Sequence, residues 1–189
     1  LVNMDYFYFS DTNLCEPNNL DFQDWLDSID TVGSTGTVCA LLSGDLDLQG
    51  RSDASGITMF ATGTNTGTFS TTTDQSGNYH FDLPPDTYDL TAEVELYLDG
   101  ELPGISCNAG DVFQLASAVL PGGDTNDDCT IDILDMAFIG ARFGINAGSS
   151  GYDSAADINA DGNIDILDLS IVGGNFSKFC PVPIGGSKG

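Results

Sequence analysis

Apolar and polar positions alternate with a period of two through the middle of the chain, from about residue 43 to residue 120. The longest run spans residues 88–99. Its inward set is Tyr88, Leu90, Ala92, Val94, Leu96 and Leu98, and its outward set is Asp89, Thr91, Glu93, Glu95, Tyr97 and Asp99. Turn residues such as Pro84-Pro85-Asp86 separate shorter runs. Because alternate side chains of a strand face opposite sides, the pattern predicts six or seven strands of a β-sandwich.

The first forty residues follow two other patterns. Residues 1–9 carry large apolar groups on both faces, which predicts a strand covered on both sides. Its cover is either the chain's own sandwich or a neighbouring subunit, through strand addition at a sheet edge. Apolar side chains at positions 22, 25, 26 and 29 recur at helical spacing, opposite a row of aspartates. They predict a short amphipathic helix that begins near Pro17-Asn18-Asn19.

The C-terminal third contains an internal repeat with an offset of 33 residues. Residues 124–135 (DTNDDCTIDILD) align with residues 157–168 (DINADGNIDILD) and are identical at eight of twelve positions. An apolar, helix-like stretch follows each segment, over residues 133–143 and 166–176. The repeat therefore predicts two copies of one loop–helix unit.

The charge balance narrows the possible partners. The 189 residues include four Lys and Arg against 29 Asp and Glu, for a net charge of −25. This charge argues against nucleic acid or an anionic membrane as a partner and favours cations. One His and two Lys leave few groups for catalysis, so we expect no enzyme activity. The 41% of hydrophobic residues can form a core, and no apolar run is long enough to span a bilayer.

The cysteines and the start of the chain indicate the compartment. Five cysteines occur without a CxxC motif or a Cys/His cluster, which favours disulfides over zinc and leaves one thiol over. Disulfides imply an oxidising environment. The chain begins at Leu1 without a Met or a leader, as in a mature secreted product. We therefore expect a secreted protein, extracellular or at a cell surface.

The twelve-residue repeats have the spacing of a calcium loop. Calcium takes six to eight oxygens, and a tight loop supplies them from alternate positions and from a carboxylate on the following helix. The predicted ligands at positions 1, 3, 5, 7, 9 and 12 of the first loop are Asp124, Asn126, Asp128, Thr130, Asp132 and Asp135. Those of the second loop are Asp157, Asn159, Asp161, Asn163, Asp165 and Asp168. An oxygen-only set of this size favours calcium over magnesium and transition metals, and it predicts two Ca²⁺ ions.

Residues 122–177 resemble the dockerin family, through Gly123-Asp-Thr-Asn126, the closing Asp135 and Asp168, and the paired exiting helices. Dockerin repeats keep the loop and exiting helix of an EF-hand, lack the entering helix and use Asp at position 12. Cys129 departs from the usual glycine at position 6, so we expect backbone strain or a constraining disulfide there. Positions 10 and 11, Ile133-Leu134 and Ile166-Leu167, are apolar, whereas cellulosomal dockerins typically place polar residues there to read a cohesin.

Two covalent features are predicted in the same region. Cys129 lies in the first loop and Cys180 lies just after the second helix, where a two-fold-like pairing of the repeats brings them together. We expect a disulfide between them and leave the other three cysteines unassigned. Asn175-Phe-Ser177 is an N-glycosylation pattern, so Asn175 is a possible glycosylation site in a host that glycosylates.

Residues 43–120 resemble carboxypeptidase-regulatory-like and CnaB-like β-sandwich modules, through Gly44–Arg51, Thr72–Phe81 and Leu83–Tyr88. The resemblance implies a non-catalytic spacer or assembly unit. The expected fold is mainly β, an Ig-like or prealbumin-like sandwich followed by a small α-helical dockerin-like domain with two EF-hand-type loops. The expected domains are an N-terminal extension (1–40), the sandwich (41–121), the calcium-binding domain (122–180) and a tail (181–189).

Two functions from different classes fit this architecture. The first is a secreted calcium-binding structural protein that self-assembles into an extracellular fibre or surface layer through its N-terminal segment. The alternative is a sandwich–dockerin anchoring module that docks a cohesin-like receptor. Deleting residues 1–9 distinguishes them, since only the fibre depends on that strand.

Overall fold

The computed structural model describes residues 6–8, 14–17, 19–29, 31–34 and 36–186. Its α-helices are α1 (Leu20–Asp27), α2 (Ile133–Gly140) and α3 (Ile166–Asn175), with a 3₁₀ turn at Ser154–Ala156. Its strands are β1 (Tyr6–Tyr8), β2 (Thr31–Gly33), β3 (Ala40–Leu48), β4 (Thr58–Gly63), β5 (Gly67–Thr72), β6 (Asn78–Leu83), β7 (Asp86–Glu93), β8 (Leu96–Tyr97), β9 (Gly100–Cys107), β10 (Val112–Gln114), β11 (Ala118–Leu120), β12 (Gly122–Asp124) and β13 (Val182–Pro183).

Two sheets form the central part of the molecule. In the first, β3 pairs antiparallel with β6 on one side and parallel with β10 and then β11 on the other. In the second, the strand order is β13-β9-β7-β4-β5. Every second residue is buried in β3, in β6 and, from Tyr88 onward, in β7, as the alternating pattern predicts. The protein is therefore mainly β, and the inward side chains of both sheets contribute to one hydrophobic core.

The run predicted as one strand over residues 88–99 is broken in the structure. β7 ends at Glu93, and Leu96 has a positive φ of 72°. The turn exchanges the predicted inward and outward positions of two side chains. Tyr97, predicted to face outward, is 1% exposed, whereas Leu96, predicted to face inward, is only partly buried. The physical reason is tertiary: β8 leaves the sheet and pairs antiparallel with β12, at the start of the repeat region.

The N-terminal strand has a partner that the sequence did not indicate. Of the predicted strand 1–9, only residues 6–8 lie within the described part of the chain. They form β1, which pairs in parallel with β2 of the same chain, outside both sheets of the sandwich. The predicted helix forms as α1, and the side chain of its N-cap Asn19 accepts a hydrogen bond from the N–H of Phe22 at 2.7 Å. A Cys15–Cys39 disulfide links this segment to the start of β3.

The repeat region, residues 122–180, packs on the sandwich instead of standing apart from it. Its buried side chains, including Ile139, Ile158 and Val172, belong to the same hydrophobic core as the sandwich residues. The tail then returns to the sandwich: β13 pairs in parallel with β9, and Ile184 is 2% exposed. Among the described helices, none combines the length and the apolar character needed to cross a membrane.

A glycine in the turn between β5 and β6 gives a direct test of this packing. Gly77 has a φ of +78°, and a Cβ atom there would collide with the carbonyl oxygen of Leu46 in β3. We expect Gly77→Ala to lower the free energy of unfolding by about 2–5 kcal/mol, from left-handed strain plus overpacking. Gly56→Ala is the control, since Gly56 has a φ of +84° but no atom within 4 Å of its added Cβ.

Urea unfolding in calcium, followed by circular dichroism, measures both variants. The control should lose about 1–2 kcal/mol, the cost of the backbone conformation alone. Equal losses in the two variants would mean that the turn does not pack on β3 as described.

Candidate metal centres

Each predicted calcium loop lies directly before an α-helix. The first runs from the end of β12 to the start of α2, and the second runs from the 3₁₀ turn to the start of α3. In both loops the residue at position 9, Asp132 or Asp165, is the helix N-cap. The residue at position 12, Asp135 or Asp168, accepts a hydrogen bond from the N-cap backbone N–H. This capping box fixes the position-12 carboxylate at the first helical turn, beside its own loop.

The two loops share several internal hydrogen bonds. The position-1 carboxylate accepts from the backbone N–H groups of positions 5 and 6, at 3.2 and 2.9 Å in the first loop and 3.2 and 2.8 Å in the second. The position-5 carboxylate accepts from the N–H of position 7, at 3.0 and 2.8 Å. The repeat seen in the sequence is therefore also a repeat in three dimensions.

Four of the predicted ligands are deeply buried carboxylates. Asp124, Asp135, Asp157 and Asp168 are each at most 2% exposed. Within the described part of the chain, no Lys or Arg forms an ion pair with any of them. Burial raises the pKa of Asp124, because the charged form loses its hydration there. Buried carboxylates without a basic partner are costly, and a bound cation would offset that cost.

The other predicted ligands are arranged at the solvent side of the loops. The position-5 side chain is exposed in both loops, whereas at position 3 Asn126 is exposed and Asn159 is half-buried. The side chains at position 9 are half-buried. Hydrogen bonds from the side chain and the backbone of Asn163 hold the pKa of Asp161 below its usual value, so that carboxylate is ionised at neutral pH. The donor set consists of oxygens alone, which fits the coordination chemistry of Ca²⁺.

The sharp turns of the loops use the left-handed region of the backbone. At position 4, Asp127 and Ala160 both have a φ of +57°. At position 6, Cys129 has a φ of +65°, where the second loop has Gly162 at +87°. The sequence-based expectation of strain at Cys129 thus corresponds to a left-handed conformation in the structure, one that glycine adopts at no steric cost.

Cys129 also forms the disulfide predicted with Cys180, with a Cα–Cα distance of 5.1 Å. A carboxylate oxygen of Asp99 lies within 4.8 Å of both sulfur atoms. Because the two sulfurs are bonded to each other, we do not consider this group a metal site. Cys107 is the unpaired thiol among the described cysteines; burial raises its pKa to about 11, so it is not a reactive thiolate at neutral pH.

Three side chains outside the repeated segments support the second loop. The hydroxyl of Tyr152 donates to Asp157 Oδ2 at 2.6 Å, and this bond raises the pKa of Tyr152 to about 12. Arg51 Nε and the Tyr97 hydroxyl donate to the carbonyl oxygen of Ile158 at 2.9 and 3.0 Å. The sequence pattern did not indicate these contacts. Arg51 and Tyr97 lie far from the loop in the chain, and nothing in the local pattern marks them.

The apolar residue at position 8 joins each loop to the other repeat. Ile131 exchanges backbone hydrogen bonds with the segment after α3: its N–H donates to Lys178, and its carbonyl accepts from Ser177. Ile164 exchanges bonds with the segment after α2, at Gly144 and Ile145. Both isoleucine side chains are fully buried. The loops therefore meet by reciprocal pairing with the end of the opposite helix, and not by pairing of the two isoleucines with each other.

The predicted glycosylation site requires a correction. Asn175 is 1% exposed, and its Nδ2 donates to Gln49 Oε1 at 2.6 Å and to the Gly122 carbonyl at 2.7 Å. A glycan would have to be attached to this same nitrogen, and there is no room for it in the folded protein. Asn175 instead links α3 to the sandwich.

The first turns of α2 and α3 present apolar side chains to solvent. Ile133 and Leu134 are 60% and 61% exposed, and Ile166 and Leu167 are 64% and 52% exposed. Buried side chains of the same helices, such as Ile139 and Val172, face the core. Each Ile–Leu pair is therefore an exposed apolar patch beside a candidate calcium loop.

Comparison with known protein families identifies the repeat region. Residues 122–176 match the dockerin type I domain. Domains of this family bind calcium, and the match indicates a non-catalytic module. It does not extend to residues 43–120, so the resemblance of the sandwich to carboxypeptidase-regulatory-like or CnaB-like modules is not confirmed. No curated protein sequence matches the chain.

Solved structures give a similarity that extends beyond the repeat region. A chain of an N-terminal interface mutant of the type II Cohesin-X-Dockerin complex from Acetivibrio cellulolyticus is 26% identical, with a TM-score of 0.65, over 74% of this chain and 97% of that one. A chain of a C-terminal interface mutant of that complex is 22% identical, with a TM-score of 0.64 and the same coverage. Residues 122–176 of this protein are thus a dockerin type I domain.

Proposed function

We propose that this chain is a secreted, non-catalytic module in which a β-sandwich carries a calcium-loaded dockerin domain that docks a cohesin-like receptor. The observation that carries the proposal is the exposed Ile–Leu pair on the first turn of each helix that follows a calcium loop. Large apolar patches on a monomer mark interaction surfaces, and these four side chains are between 52% and 64% exposed. Dockerin modules are typically extracellular or attached to the cell surface.

Calcium has a structural role in this proposal. The twelve residues predicted as ligands would hold two Ca²⁺ ions, one in each loop. The position-12 carboxylate of each loop also caps its exiting helix, through Asp135 in α2 and Asp168 in α3. A bound ion would fix this carboxylate, and with it the first helical turn that carries the Ile–Leu pair. Receptor binding should therefore depend on calcium.

The proposed partner follows from the apolar character of the surface. The similar solved structures come from a type II Cohesin-X-Dockerin complex, whereas the family match is to the type I domain. The receptor face opposite this domain must cover apolar side chains and tolerate a strongly acidic protein. A cohesin panel that includes both types therefore tests the proposal.

The test measures binding to immobilised cohesins of both types, in millimolar calcium and in chelator. We expect at least one cohesin to bind in calcium only. Replacing one Ile–Leu pair with serines, or both pairs together, should weaken binding by about 10- to 100-fold or more, because buried apolar anchors carry most of an interface's affinity. Val112→Ser with Val119→Ser is the matched control, since these exposed valines lie on the sandwich.

Two results would contradict the proposal. One is that no cohesin binds in calcium, and the other is that the double-pair variant binds as tightly as the wild type. Circular dichroism in calcium checks that each variant keeps its fold. Deletion of residues 1–9 should leave receptor binding unchanged.

Self-assembly into a fibre or surface layer has less support. It rests on an apolar N-terminal strand whose pattern predicts a partner on both faces. β1 pairs with β2 of the same chain, so the described part of this strand has an intramolecular partner. Homo-polymerisation through the N-terminal segment therefore stands as the second hypothesis. Filaments in calcium that disappear on deletion of residues 1–9 would favour it over docking.

A further inference from the structure

Position 6 is a cysteine in the first calcium loop and a glycine in the second. Gly162 occupies this position in the second loop with a φ of +87°, and Cys129 occupies it in the first with a φ of +65°. A Cβ atom added to Gly162 would meet only the Ala147 Cβ at 3.6 Å, an ordinary contact. The position therefore has space for a side chain and requires only a left-handed backbone, which L-residues rarely adopt.

This backbone conformation directs a hydrogen bond at a calcium ligand. The N–H of Cys129 donates to Asp124 Oδ2 at 2.9 Å, and the N–H of Gly162 donates to Asp157 Oδ2 at 2.8 Å. Both acceptors are position-1 carboxylates, and both are buried. If residue 129 relaxed to a negative φ, its N–H would turn away from Asp124 and the first loop would lose the geometry that it shares with the second.

Covalent and hydrogen bonds hold Cys129 in this conformation. Its sulfur is bonded to that of Cys180, and the Cys180 N–H donates to the Cys129 carbonyl at 3.0 Å. Cys180 is fixed in turn by the sandwich, because the Asp99 N–H contacts its sulfur at 3.3 Å and the next strand, β13, pairs with β9. The second loop has a glycine at this position and no disulfide.

We propose that the Cys129–Cys180 disulfide is a positioning element of the first calcium site, which holds a non-glycine residue in the conformation that position 6 requires. The inference rests on the proposed calcium binding. Without the bond, the calcium-free loop populates conformations with a negative φ at residue 129, and calcium must reverse them on binding. The free calcium concentration that half-saturates the first loop, its midpoint, should then rise about tenfold. This factor corresponds to the free-energy cost of holding one residue in the left-handed conformation.

The disulfide makes this site sensitive to reduction. A dithiol reductant supplies two electrons and two protons, the S–S bond breaks into the thiols of Cys129 and Cys180, and the reductant is oxidised to its own disulfide. The second site has no sulfur and should not respond. The first site alone is therefore expected to weaken under reducing conditions.

The test compares two variants of the full chain that both lack the bond. The Cys129→Ala/Cys180→Ser variant keeps a Cβ at position 6, whereas Cys129→Gly/Cys180→Ser removes it; the Cys15–Cys39 disulfide stays intact in both. Hydrogen–deuterium exchange over a series of free calcium concentrations gives separate midpoints for residues 124–135 and 157–168. We expect the alanine variant to raise the first midpoint about tenfold and the glycine variant to restore most of it. The second midpoint should be unchanged and also reports that each variant is folded.

The other outcomes would contradict either this inference or the proposed calcium binding. An alanine variant with a wild-type first midpoint, or two variants weakened equally, would overturn the inference, because the conformation of residue 129 would then not be what the disulfide supplies. If neither loop of the wild type responds to calcium, the proposed calcium binding itself fails, which is a different result from a loss confined to the variants.

Discussion

Replacing Asp135 with Asn should abolish calcium binding in the first loop while the second loop still binds. Asp135 is fully buried, so water cannot take the place of a lost ligand. One of its oxygens accepts from the Thr125 N–H and hydroxyl, at 2.8 and 2.9 Å, and the other accepts from the Asp132 N–H at 2.8 Å. The amide removes the charge and puts an NH₂ group against donors. We expect a loss of affinity on the order of 100-fold or more, since charge count sets affinity in such loops.

Asp127→Asn is the matched control, because it makes the same chemical change in the same loop. Asp127 is exposed, occupies position 4 and is not a predicted ligand. Isothermal titration calorimetry should give two ions for this control and one for Asp135→Asn, and Asp168→Asn should give one ion for the same reason. Two ions bound by Asp135→Asn at wild-type affinity would contradict the assignment of this carboxylate.

The effect of Asp135→Asn on the melting temperature, compared in calcium and in chelator, distinguishes a calcium ligand from an ordinary core residue. In calcium, Asp135→Asn should lower the melting temperature, because the folded state loses a bound ion. In chelator, the same substitution should not lower it further, because the first loop then holds no ion to lose. A variant that merely damaged the core would lose stability in both conditions.

Removing calcium from the wild type should unfold the dockerin domain and leave the central strands of the sandwich folded. Saturation at 100 to 1,000 times Kd stabilises a folded state by about 3–4 kcal/mol for each site. Without the ions, the buried carboxylates Asp124 and Asp135, and likewise Asp157 and Asp168, repel one another. Hydrogen exchange should therefore become fast across residues 122–176 after chelation, while β4 and β7 stay protected.

The structure sets how far this unfolding should spread. β8 pairs with β12, and Arg51 and Tyr97 both donate to the Ile158 carbonyl. Amide hydrogen exchange should therefore also become faster in β8 and around Arg51. The control is chelator already saturated with calcium, which should change nothing. Unchanged exchange over residues 122–176 in free chelator would rule out calcium as a folding ligand.

The paired loops that precede α2 and α3 were predictable because everything that defines them is local. Ligand spacing, the Asp132 and Asp165 N-caps and the exiting helices all fall within one repeat, and the repeat occurs twice. The alternating strands were predictable for the same reason, since a period of two specifies which side chains face a core. The prediction failed where that periodicity continued past the end of β7, because pairing with β12 turned the chain at Leu96.

Period-two patterning and the spacing of the loop residues act over a few residues, so local sequence was enough to indicate a mainly β protein with a duplicated loop rich in oxygen donors. The surroundings of those loops depend instead on contacts between distant parts of the chain. The contacts of Arg51 with Ile158 and of Gln49 with Asn175 join residues more than 100 positions apart. The return of β13 to the sandwich and the burial of Asn175 are of the same kind. Such contacts depend on how finished elements pack together, and no local pattern specifies them.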